Sequence, residues 1–216
     1  MLLCGPSAAG KSSLAHALGD GSSRKYWRIR RTTTRPPRRL DAWDAEYEFV
    51  SIKVFLDGIA AGSFAEHTEL LGCFYGLRQA NLTEAFSQEN GVSILVCGVS
   101  AAMRLSERYP EQTSLAFVYP GSTNLMLDEG LDPYGGPAQV LRNRLQARGD
   151  ESSHAHASHD YVEARVIRGL SRTAMIIHRI REGGQVEVIE NAQGQLDHAK
   201  QSLISYARNL ELEEKR

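Results

Sequence analysis

Residues Gly5-Pro6-Ser7-Ala8-Ala9-Gly10-Lys11-Ser12-Ser13 fit the pattern G-x-x-x-x-G-K-[ST], directly after the apolar run Leu2-Leu3-Cys4 and directly before Leu14-Ala15-His16-Ala17-Leu18. No other stretch constrains the chain so strongly, because each part of the pattern has a physical job. A short buried strand holds the loop, and glycines and small residues let successive backbone N–H groups point at phosphate oxygens. The helix that follows adds its N-terminal dipole. Lys11 is placed to reach the outer phosphates, and the Ser12 hydroxyl is placed to ligate Mg²⁺. The stretch reads as a nucleoside triphosphate site, and Gly19 ends the helix after about two turns.

With 216 residues, 42% of them hydrophobic, the chain is long enough to bury one good core that carries an inserted subdomain. No apolar run approaches the ~20 residues of a membrane span, and the N-terminus lacks a signal peptide pattern, so a cytoplasmic, soluble protein is expected. Cys4, Cys73 and Cys97 stand in apolar or small-residue surroundings without C-x-x-C spacing, which points to reduced, buried thiols. The formal charge of -1 hides a basic stretch in which Arg24, Lys25, Arg28, Arg30, Arg31, Arg35, Arg38 and Arg39 are interrupted by no acid. β-formers thread this stretch and Pro36-Pro37 follow, so its arginines belong to an ordered strand and rigid turn. That favours small-molecule phosphate binding over nucleic acid.

Along the chain, Tyr26 to Arg31 reads as one strand and Glu46 to Ile52 as a half-buried strand. Ser51 is placed to cap a short helix from Lys53 to Ala61, and Phe64 to Gly76 reads as a strand and hairpin. Helix 81–88, strand 92–99, helix 100–108 and strand 114–119 then alternate, which argues for a parallel sheet. Residues 120–136 read as a turn-rich loop, 137–148 as a helix, 149–161 as a polar loop, 163–181 as a long helix, 186–189 as a last strand and 196–210 as a closing helix. The expected class is an α/β phosphate-binding-loop fold. Its core comprises 1–30, 81–140 and 162–216, with a small β-rich acceptor subdomain at 31–80 and a lid at 141–161.

The phosphate-binding loop, Thr33-Thr34-Arg35-Pro36-Pro37-Arg38, Tyr47-Glu48-Phe49, Glu66 and Tyr75-Gly76 stand in an order and at spacings that resemble the guanylate kinase family. The resemblance is close over roughly the first 120 residues. It implies transfer of the γ-phosphoryl group of ATP to the phosphate of GMP or dGMP, with Mg²⁺ as cofactor and small nucleotides as substrates, and with neither nucleic acid nor membrane as a partner. Carried over by position, Arg35, Arg38, Tyr47 and Tyr75 would hold the acceptor phosphate. Glu66 would accept from the N1–H and amino edge of guanine, which offers two donors side by side. Lys11 and the lid arginines Arg144 and Arg148, with Arg168 or Arg165 later in the chain, would screen the transferring phosphoryl group.

The chain departs from that family in three places. Val96 and Gly98 replace aspartates on the strand 92–99. Arg31 stands where a serine usually donates to guanine O6, and Leu77 replaces a hydroxyl residue. Arginine can also donate to O6 and N7, so Arg31 counts among the expected substrate-binding residues. The enlarged lid carries His154, His156 and His159, read as solvated loop histidines rather than a metal site. Two alternatives follow from these departures. One is a kinase like the related ribose 1,5-bisphosphate kinases, which also lack those aspartates; the other is a non-catalytic binding module of the guanylate kinase type.

Overall fold

The computed structural model describes residues 1–19, 25–37, 45–88, 91–128, 132–149 and 159–213. Arg38 and the lid histidines His154 and His156 lie outside the described residues, as does the side chain of Arg148. The core is a five-stranded, wholly parallel sheet in the order β2-β7-β1-β8-β9. Its strands are β1 (Leu2–Cys4), β2 (Tyr26–Arg28), β7 (Val92–Val96), β8 (Leu115–Tyr119) and β9 (Glu187–Glu190). Both faces are covered, so the central strands β1, β7 and β8 read as near-continuous apolar runs and every residue of β8 is buried. Strand side chains alternate between faces: Leu3 packs with Leu14, Val96, Val118 and Val166 on one side. Leu2, Cys4, Leu95, Phe117 and Ile176 form the other layer.

A second sheet, in the order β4-β3-β6-β5, is built from β3 (Arg31–Thr33), β4 (Tyr47–Phe49), β5 (Phe64–Leu70) and β6 (Cys73–Arg78). Its β3-β4 pair is parallel and its β3-β6 and β5-β6 pairs are antiparallel. The helix α2 (Ile52–Ala60) covers it, starting at Ser51, whose side chain accepts from the Val54 amide at 3.2 Å. Phe55 stacks on Phe64 and Phe74 beneath that helix.

The remaining helices are α1 (Lys11–Ala17), α3 (Gln79–Phe86), α4 (Val99–Arg108), α5 (Thr123–Asp128), α6 (Gly136–Gly149), α7 (His159–Arg181) and α8 (Leu196–Glu213). Two expectations need correction. The strand expected over Tyr26 to Arg31 is two strands in two different sheets. Ile29 still donates to the Ile94 carbonyl of the core ladder, and at Arg31 the chain has already joined the second sheet. Both halves are equally rich in β-formers, so local propensity carries no mark of the crossing. The loop expected at 120–136 contains α5, whose Met126 is fully buried against the core. Among the described residues, no helix is long and apolar enough to cross a membrane.

Cys4, at the end of β1, and Cys97, just past the end of the neighbouring β7, are buried free thiols, and Cys73 is half-buried. Burial pushes Cys4 well above its ordinary value and Cys97 up to about 11. The reactive form of cysteine is the thiolate. Alkylation of the native protein at pH 8 is therefore expected to label Cys73 and spare the other two, read by peptide mass. Because folding favours the protonated Cys97, its stabilising contribution is complete below about pH 8.5 and is lost as pH rises toward about 11.

Candidate active site

The loop between β1 and α1 wraps one cradle. Gly5 (φ 149°) and Gly10 (φ 99°) lie in the left-handed half of backbone space, which glycine adopts without cost. A Cβ on Gly5 would stand 2.5 Å from the Val118 carbonyl oxygen, and one on Gly10 would collide with the Asn191 amide nitrogen. Lys11 folds back so that its Nζ donates to the Gly5 and Pro6 carbonyls at 2.9 and 2.7 Å, which leaves the ammonium at the loop's rim. Ser12 lies in the first turn of α1.

Asn191, just past β9, is a residue that motif reading missed. It is almost wholly buried, and its Nδ2 donates to the Ala9 carbonyl at 2.7 Å, fixing the crest of the loop. The available signal was a polar residue at the carboxyl end of a sheet strand, where α/β sites gather. Asn191→Leu is expected to leave the Ala9 carbonyl with the long 3.4 Å contact from Arg144 and to destabilise the fold by about 1–3 kcal/mol, read as a lower Tm, with weaker ATP binding.

The second cradle grows from β3, β4 and β6. Arg35 is buried and not solvated: its guanidinium lies 5.5 and 5.4 Å from the centroids of Tyr47 and Phe49. Thr33 positions it by accepting from the Arg35 amide at 3.1 Å while donating to the Phe74 carbonyl at 2.8 Å. Arg31 is buried as well, 5.6 Å from the centroids of both Tyr47 and Tyr75. Its Nη1 donates to the Val96 carbonyl at 2.7 Å, bridging from the second sheet to the carboxyl end of β7. Burial pulls its charge down, but Tyr47, Cys97, Glu66 and Tyr75 outweigh that and hold the guanidinium more firmly protonated than usual. Glu66 is buried on β5, and Oε1 accepts from Nη2 of Arg104 on α4. Arg104 carries no motif in the sequence, and only the packing of α4 beside β5 brings it to the site.

The two cradles converge because β7 and β1 are neighbours in the core sheet. Arg31 touches the end of one, and the end of the other feeds the phosphate-binding loop. A third group of cations descends on α7, which packs closely enough that a Cβ on Gly169 would stand 2.8 Å from Pro6. Arg165 lies near Tyr75: burial pushes the Tyr75 phenol up, and Arg165 is the strongest influence against it. Its Nη1 donates to the Tyr161 hydroxyl at 2.9 Å, and its buried Nε has no hydrogen-bond partner among the described residues. Arg168 is exposed one turn further along, in the company of Arg172 and Arg104. Arg144 lies over the phosphate-binding loop, donating through Nη2 to the Asn191 carbonyl at 3.1 Å and through Nη1 to Ala9 at 3.4 Å. Burial lowers its pKa. Leu77 is buried in the core and offers no polar group to the cleft.

The sequence model described as guanylate kinase matches residues 1–164. The guanylate kinase of Myxococcus xanthus is 30% identical over 162 residues, covering 75% of this chain and 76% of that protein. That of Bordetella pertussis is 32% identical over 194 residues, covering 89% and 88%. The crystal structure of the Anaplasma phagocytophilum guanylate kinase has a similar fold, with a TM-score of 0.59 at 19% identity over 97% of this chain and 84% of that one.

Proposed function

Because this chain belongs to the guanylate kinase family, we propose that it moves the γ-phosphoryl group of ATP onto the phosphate of GMP or dGMP between the two cradles described above. It is a nucleoside monophosphate kinase with ATP as donor and small nucleotides as substrates. The observation that carries the acceptor reading is the buried pair Arg31 and Arg35 clasping the Tyr47 ring, with Tyr75 alongside. Two buried guanidinium groups and two phenols gathered in so small a space form a concentrated set of donors, which the oxygens of a phosphate monoester match.

The chemistry needs no general base. The attacking oxygen belongs to the acceptor's own phosphate, which is largely ionised at neutral pH, so the protein's task is alignment and screening of charge. The main-chain amides from Gly5 to Gly10 cradle the donor phosphates, and Lys11 leaves its two carbonyls to follow the outer ones. Arg35, with Arg38 where the chain continues past Pro37, fixes the acceptor phosphate in line with Tyr47 and Tyr75. Arg144 and Arg165, with Arg148 and Arg168 on the same helices, bring positive charge to the phosphoryl group in flight.

Mg²⁺ would supply charge neutralisation across the donor phosphates. The protein contributes the Ser12 hydroxyl to it, since Val96 and Gly98 offer no carboxylate and, among the described residues, no three His, Cys, Asp or Glu side chains cluster. Such a site fits an ion that keeps most of its waters. The test is a coupled assay with Mg-ATP and a panel of nucleoside monophosphates. GMP and dGMP turnover is the expected result, and absence of transfer to every purine monophosphate would overturn the assignment.

A further inference from the structure

Resting on the acceptor reading above, we infer that Arg31 is a positioning residue. Its guanidinium stands in for the main-chain donor that the core ladder loses where the chain crosses between the two sheets, and it thereby sets Tyr47 and Tyr75 beside the end of β7. Its charge adds to that of Arg35, but its hydrogen bonding serves the crossing, and the acceptor feels it through the two phenol rings.

The register of the ladder carries the inference. In a parallel pair, the amides of alternate residues on one strand donate to alternate carbonyls of its neighbour. β2 pairs with β7 at Tyr26↔Val92, Trp27↔Ser93 and Arg28↔Ile94, and the Ile29 amide continues the run by donating to the Ile94 carbonyl at 2.9 Å. The next partners in that series are the Arg31 amide and the Val96 carbonyl. By Arg31, however, the main chain is paired in the second sheet, opposite Tyr47. The Val96 carbonyl receives its hydrogen bond from the same residue by another route, Nη1 of the Arg31 side chain at 2.7 Å. Val96 is buried, and a buried carbonyl without a donor is costly. Because β2 is the edge of the core sheet, no further described strand stands there to supply one.

The same guanidinium lies 5.6 Å from the ring centroids of Tyr47, on the adjoining β4, and of Tyr75, on the adjoining β6. A planar cation tied to a carbonyl and packed against two rings has little freedom to turn. Asn81, on α3, fastens the residue before it, donating through Nδ2 to the Arg30 carbonyl at 2.8 Å. Ile29, Arg30 and Arg31 are therefore each bonded across the crossing, one through an amide, one through a carbonyl and one through its side chain. Both phenols assigned to the acceptor phosphate take their place from β3, which leaves that crossing.

Three variants test this, read by calorimetric binding of GMP and of ATP, each alone, and by hydrogen exchange at the Ile29 amide. Arg31→Met keeps the apolar stem and removes the donor. It is expected to weaken GMP binding at least about tenfold, to leave ATP binding within about twofold, and to speed Ile29 exchange at least about tenfold. A residue that only stabilised the fold would not separate GMP from ATP in this way. Arg31→Lys can reach the Val96 carbonyl with one N–H but cannot fork, and is expected to bring both readouts within about threefold of native. A guanidinium that gripped the acceptor bidentately would not be rescued by lysine. Asn81→Ala removes a tie and no charge from a half-buried residue, and is expected to weaken GMP binding at least about threefold with ATP binding unchanged.

Unchanged GMP binding in Arg31→Met or Asn81→Ala, unchanged Ile29 exchange in Arg31→Met, or a failure of Arg31→Lys to rescue overturns the proposal. Should Arg31→Met not fold, Arg31→Lys and Asn81→Ala decide it. If the native protein binds no purine monophosphate, the acceptor reading falls, and Ile29 exchange decides whether Arg31 holds the crossing.

Discussion

Lys11→Ala is expected to leave the fold intact and to reduce phosphoryl transfer by at least about 10³-fold. The Lys11 ammonium donates to two carbonyls of its own loop, and the side chain is only partly buried, so its removal opens no apolar cavity and unpairs no ladder. What is lost is a cation held where negative charge gathers on the outer donor phosphates. In a water-poor cleft, even one neutral oxyanion donor is worth ~10²–10³ in rate. The check is single-turnover transfer to GMP beside thermal unfolding: Tm within a few degrees of native with the rate gone. A variant retaining a tenth of native activity would mean that the loop binds ATP without Lys11 steering it.

The second large effect is expected at Arg165. Arg165→Ala should lower kcat by about 10³-fold while changing the KM for GMP less than tenfold, because an arginine delivered to a transferring phosphoryl group acts in the transition state. The reason to choose Arg165 is its Nε, buried and without a partner among the described residues, on a side chain whose charge reaches the Tyr75 phenol. A buried guanidinium N–H left unpaired is costly unless a ligand completes it. Arg168→Ala is the informative comparison. Arg168 is exposed, and among the described residues no carboxylate pairs with it, so a loss at Arg168 larger than at Arg165 would exchange the two roles.

Much of the site was legible without coordinates. Gly5, Gly10 and Lys11 are dictated by spacing, because backbone close to a phosphate tolerates no side chain at two of those positions and needs a cation at the third. The residues proposed for the acceptor, Arg31, Arg35, Tyr47 and Tyr75, were legible as a register of short motifs, and the fold gathers them, though the burial of Arg35 was not legible: by itself, an arginine before two prolines reads as a solvated turn residue. Asn191, Arg104 and the break after Arg28 stayed hidden. Asn191 meets Ala9 across 182 positions of chain and Arg104 meets Glu66 across 38, and neither contact leaves a local pattern.

The sequence by itself therefore determined the parallel core, the phosphate-binding loop and the identity of the cations gathered at the cleft, since each follows from local chemistry or from alternation along the strand. Only the tertiary structure decided which of those cations are committed. Arg31 is tied to the Val96 carbonyl, Glu66 accepts from Arg104, and Arg165 rather than Arg168 acts on the Tyr75 phenol. The physical reason is that a long side chain's charge acts where packing carries it, and packing joins residues that sequence spacing keeps far apart.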